Sequence, residues 1–198
     1  SPNVDANTTI PTLLTAGRTS CDGGTLNRSG YWVPALFDAN GERVRFVDPL
    51  FYYKTGYHVP AKSIQPPPAG LRMIAGDAKT KSLQSARIAK FRCSSWQSDQ
   101  DWFDPGDPLD HVSYLPDCPA DDQLEIRIVF PQCWDGRNLS ASDNKSHMAY
   151  PSAARPPITG TGTCPASHPI AIPEISYNFS VHVDPIWARG VPNARTQT

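Results

Sequence analysis

The chain lacks most of the features that place a protein in a class at sight. It has no run of about 18 apolar residues, so no transmembrane helix is expected. Lys plus Arg number 18 and Asp plus Glu 19, interspersed, for a net charge of −1. The basic excess or stripe of a nucleic-acid binder is therefore missing. None of the five cysteines forms a C-x-x-C pair, which argues against a zinc ribbon or a thioredoxin-type site. There is no G-x-S-x-G elbow, so the neighbours Ser146 and His147 are not a hydrolase signature. Internal repeats and a signal peptide are also missing, and the first residue is not Met. Ser1 reads as a processed or truncated start.

What is present points to a disulfide-bonded β protein. A length of 198 residues suits one all-β domain, expected over residues 1–187 with a flexible tail over 188–198. A chain of this size buries roughly 70% of the surface exposed by its unfolded form, so folding demands neither metal nor cofactor. The 21 prolines are spread among strand-like runs and read as turn and strand-edge punctuation. Five cysteines suggest an oxidising compartment, the alternative being buried free thiols in a cytosolic protein. Proximity along the chain favours the pairs Cys93–Cys118 and Cys133–Cys164, each contributing about 3 kcal/mol by constraining the unfolded chain. Cys21 is left over, with a partner expected upstream.

Of eight asparagines, five lie in N-x-S/T: Asn7, Asn27, Asn138, Asn144 and Asn178. Random placement would give about one or two such motifs. In a eukaryotic chain this predicts a glycosylated, secreted protein. Asn178 falls inside an alternating run, so a glycan there requires an outward face.

Strand signals dominate. Tyr31–Phe37, the turn 38–41 with its Asn40-Gly41, and Glu42–Val47 predict a β-hairpin. Leu50–His58 predicts a third strand, and Gln65–Ala69 a polyproline connector. Leu71–Ala75 suits a short strand. Lys79–Lys90 is the only stretch with a helical pattern, and it suits equally a loop leading into a strand at Ile88–Cys93. Residues 94–119 read as a long ordered loop. Leu124–Phe130 is a strand whose alternation breaks at Val129, and Ser176–Val183 alternates cleanly. Together these predict an all-β fold, a β-sandwich or jelly-roll-like domain with long irregular loops and little helix.

The densest chemistry lies in 131–151, PQCWDGRNLSASDNKSHMAYP, a polar and aromatic loop after the clearest strand. Asp135, His147 and Tyr150 are acid–base types, and Arg72 can pair with a substrate carboxylate. That set suits β-elimination on a uronic-acid polysaccharide. Asp77 with Asp135 suits glycoside hydrolysis instead, with their separation deciding the stereochemistry. The structural alternative is that Asp135-Gly136 makes a turn, Arg72 pairs with Asp77 and His147 bonds backbone. His147, His168, Asp135 and Asp143 are metal-ligand types, but their spacing matches no metal motif and no metal site is assigned. Trp96, Trp102 and Trp134 sit in polar contexts that suit stacking on sugar rings, or else cap the core under long loops. Trp32 reads as core.

Four segments in order, SGYWVPALF, PAGLRMIAGDA, FPQCWDGRNL and SHMAYP followed by CPASHPIAIPEI, resemble family 1996 of the domains of unknown function, found in fungi and bacteria. The resemblance spans about Cys21 to Val183. It implies a secreted protein with no agreed activity, often joined to carbohydrate-binding or cell-wall modules, and so a polysaccharide or cell-wall glycan as partner. Members also carry a histidine-containing segment before the Cys21 region, and this chain opens after that point. Two classes of function follow: a glycan-cleaving hydrolase or lyase, or a non-catalytic carbohydrate-binding or cell-wall structural domain.

Overall fold

The computed structural model describes residues 7–15, 29–38, 40–55, 58–82, 84, 88–95, 115–152 and 161–183. By internal contacts the chain divides into two compact units, Ser1–Leu36 and Phe37–Thr198. The described residues of the first unit include one short helix, α1 (Ile10–Thr15). Thr9 and Thr12 cap its start reciprocally: the Thr9 N–H donates to Thr12 Oγ1 at 2.8 Å, and the Thr12 N–H to Thr9 Oγ1 at 3.5 Å. Trp32 of this unit, expected in the core, is exposed.

The described residues of the second unit form two antiparallel sheets and almost no helix. The larger sheet has the order β1 (Val47–Lys54), β7 (Glu174–His182), β3 (Gln123–Val129), β2 (Ala89–Cys93). The smaller sheet has β4 (Cys133–Trp134) between β5 (Met148–Ala149) and β6 (Ile170–Ala171). β3 leads into β4 as β6 leads into β7, so one long antiparallel pairing joins the sheets. Its register moves by one residue between the pair Phe130–Ile175 and the pair Cys133–Ala171. This irregularity lies beside Glu174, and such bulges re-aim side chains.

The period of two sorts the larger sheet into an apolar and a polar face. Leu124, Ile126, Ile175, Tyr177, Phe179 and Val181 share the first; all six are buried. Phe51 and Phe130 pack on Tyr177 at 4.8 and 4.5 Å between ring centroids, and Phe46 on Phe179 at 4.5 Å. On the second face the register aligns Leu50, Asn178, Arg127 and Lys90 in one row, Tyr52, Ser176 and Val129 in the next, then Lys54 and Glu174. Val129 breaks its strand's alternation because this end of the polar face is itself buried.

The expected hairpin over 31–47 shrinks to its turn. Phe37 and Arg43 form one isolated bridge, and the Asp38 carboxylate accepts the N–H groups of Asn40 and Glu42. Pro34 removes a donor from the first arm, and from Val47 the second arm is captured by β7. Leu71–Ala75 forms no strand; instead the N–H groups of Arg72 and Ile74 donate to Leu139 and Asn144 carbonyls. The described residues of Lys79–Lys90 form turns and the start of β2 rather than helix.

Two disulfides tie the loops. Cys93–Cys118 closes a separation of 25 residues and Cys133–Cys164 one of 31. Cys21 and most of the expected 94–119 loop lie outside the described residues. Among the described residues no helix is long and apolar enough to cross a membrane.

Candidate functional site

Two polar assemblies compete for the role of site. The first is the loop from Trp134 to His147. Gly136, at φ +77°, lets the chain turn, and the Asp135 carboxylate caps that turn. Its Oδ1 accepts the N–H groups of Arg137 and Asn138, both at 2.9 Å, and its Oδ2 accepts Asn138 Nδ2 at 2.7 Å. Partial burial pushes the carboxyl pKa up, but these donors and the nearby His147 outweigh it and hold it at about 2. Asp143 repeats the device. The N–H groups of Ser146 and Lys145 donate to its Oδ1, and they hold it at about 2 as well. Both groups are thus committed carboxylates with their lone pairs directed into their own turns.

His147 is buried, and its Nε2 contacts the Arg72 carbonyl at 2.6 Å. The ring thereby fastens the 71–75 segment to the loop, while the Asp135 N–H donates to the His147 carbonyl at 3.0 Å. Arg72 itself is exposed. Asp77 pairs with Lys145 at 3.3 Å rather than with Arg72. The Lys79 N–H and the Lys145 ammonium lower its pKa. Tyr150 donates its hydroxyl to the Val129 carbonyl at 2.7 Å. His168 bridges Ser167 and the Ser146 carbonyl. The structure therefore brings Asp135 and His147 together, and leaves Arg72 and Asp77 exposed, with the Arg72 carbonyl on His147. Trp134 is half-buried, and its indole N–H donates to the Asn138 carbonyl at 2.7 Å. Trp96 and Trp102 lie outside the described residues, as does Asn27. Asn7, Asn138 and Asn144 are exposed, whereas Asn178 is half-buried between β1 and β3.

The second assembly was invisible in the sequence. Glu174, 1% exposed, sits at the register shift of the long pairing. Lys54 is its direct cross-strand partner, with Nζ at 3.7 Å, and His58 Nε2 lies 3.2 Å away on the other oxygen. Burial drives the Glu174 pKa up, but His58, Lys54 and the field of Arg127 overcome it, and the net shift is downward. Ser176 and Arg127, both buried, complete the neighbourhood on the same face. His58 is held by its backbone: the Gly162 N–H donates to its carbonyl at 2.6 Å. A Cβ on Gly162 would lie 2.6 Å from that oxygen and 2.8 Å from the Ser152 carbonyl, so only glycine permits the approach.

Beside this cluster Tyr52 and Leu50 stand about half exposed on the same sheet face. The Lys54 ammonium is 5.6 Å from the Tyr52 ring centroid. Extending the alternation of Ser176–Val183 back by two residues would have placed Glu174 on the polar face. No sequence signal pairs it with Lys54 and His58, 120 and 116 positions earlier. A third group, Cys93, Cys118 and Asp122, offers ligand atom types within reach of one another, but the sulfurs are bonded to each other and Asp122 accepts from Ser94, Ser95 and Gln123.

No curated protein and no solved structure matches the chain. A family model does, over residues 1–197: the chain belongs to the family described as domain of unknown function DUF1996.

Proposed function

We propose that the chain is a secreted domain that binds cell-wall or extracellular polysaccharide without cleaving it. The observation that carries this reading is the contrast between the two faces on offer. The acid–base candidates Asp135 and His147 are engaged in holding their own loop, whereas the polar sheet face presents Tyr52 and Leu50 to solvent. An aromatic ring flanked by hydrogen-bonding side chains suits a pyranose, whose apolar face stacks while its hydroxyls bond the flanks. Two disulfides and the five sequons agree with an extracellular setting.

Cleavage by a hydrolase or lyase is the second reading, and the Asp135–His147 proximity is what favours it. One assay separates them. Wild type and His147→Ala are incubated with plant, fungal and bacterial wall polysaccharides, and both protein retention and soluble products are followed, the latter by mass spectrometry. Retention without products is expected. Oligosaccharides released by wild type and not by His147→Ala would replace the binding reading with the enzymatic one.

A further inference from the structure

Resting on that binding reading, we infer that the polar sheet face takes an acidic sugar, with Tyr52 receiving the pyranose ring and Lys54 its carboxylate. The two residues are i and i+2 on β1 and so project from the same face. The ammonium lies over the Tyr52 ring, 5.6 Å from its centroid, within reach of the C6 carboxylate of a sugar held on that tyrosine. A neutral polysaccharide would need only the aromatic ring and hydroxyl partners. A cation held beside that ring adds a requirement for negative charge.

The Lys54 ammonium is also positioned. Glu174 sits directly across the strand pairing, at 3.7 Å, and is itself fixed by His58 at 3.2 Å. The lysine side chain is 14% exposed, against 1% for Glu174. The carboxylate thus lies beneath, and the small exposed part of the lysine is what a ligand would meet. A long flexible lysine so fixed gives up its rotamer entropy on folding rather than on binding. Farther along the face lie Arg127 and Lys90, in one row with Leu50 and Asn178. Of these, Arg127 is buried and acts on a ligand only through its field, while Lys90 is half-buried.

The test compares polygalacturonate with its fully methyl-esterified form, which keeps the backbone and removes the charge. Affinity electrophoresis on the unmodified protein should show retention at least tenfold stronger for the acid, weakening as salt is added. Lys54→Met should bring acid and ester to equal, weak retention. Lys54→Arg should keep the preference, and Tyr52→Ala should abolish retention on both. Equal retention of wild type by acid and ester overturns the acidic-sugar inference and leaves polysaccharide binding standing. A preference that survives in folded Lys54→Met overturns the role of Lys54. Retention on no polysaccharide of any charge removes the binding reading and this inference with it. Thermal melting of each variant verifies folding, and the acid–ester comparison on wild type stands even where a variant does not fold.

Discussion

The loop 134–147 and the cluster around Glu174 use the same kinds of side chain in opposite ways. In the loop, acids and amides lie within four residues of the groups they bond, at or near the surface. Each carboxylate holds a single turn. Around Glu174, groups more than a hundred residues apart meet in the interior, and each charge depends on the tertiary fold for its partner. Density of polar residues along a sequence therefore marks local turn construction as readily as a site. Density in space, away from water, costs desolvation and is the stronger sign of a constraint beyond local structure.

The contrast predicts unequal effects of removing one carboxylate from each region. Glu174→Leu leaves Lys54 and His58 facing an apolar group and should destabilise the fold by about 3–5 kcal/mol, read from urea unfolding. Removing the Cys133–Cys164 bond as the double alanine variant should come next, at about 3 kcal/mol, because it frees the loop between β4 and residue 164. Asp135→Ala should cost about 1 kcal/mol, the worth of a local cap. An Asp135→Ala loss as large as that of Glu174→Leu would erase the distinction between the two regions. Asp77→Asn should leave the unfolding midpoint unchanged, since its pair with Lys145 is a surface one.

Acid titration sharpens the same comparison. Glu174, Asp135 and Asp143 all have carboxyl pKa values lowered by folding. The stability they contribute is fully present above the unfolded carboxylate range and is lost as pH falls through the folded values. Stability should thus be level above roughly pH 5, and should decline toward about 2, where Asp135 and Asp143 protonate. In Glu174→Gln the acid-dependent loss should shrink; an unchanged profile would mean that the other lowered carboxylates, Asp77, Asp122, Asp135 and Asp143, carry it.

Much of the architecture was legible in the sequence. The alternation in Leu124–Phe130 and Ser176–Val183 corresponds to β3 and β7, and the last four cysteines are bonded in consecutive pairs, Cys93 with Cys118 and Cys133 with Cys164. Both are local signals: a period of two, and short loop closures. The hairpin over 31–47 was misjudged because pairing with β7 outcompetes a local partner whose first arm carries Pro34. The candidate loop was found where residue types crowd together, and its Asp-Gly turn was legible for the same reason. The cluster at Glu174 was not, since strand register, a one-residue shift and the close approach at Gly162 create it, and none of these is encoded in nearby residues.

The most direct test of the central claim is hydrogen–deuterium exchange with and without a retained polysaccharide fragment. Protection confined to β1 and its neighbours on β7, with 134–147 unchanged, is the predicted footprint. Protection centred on 134–147 with β1 unaffected would place the ligand on the other assembly and contradict the account.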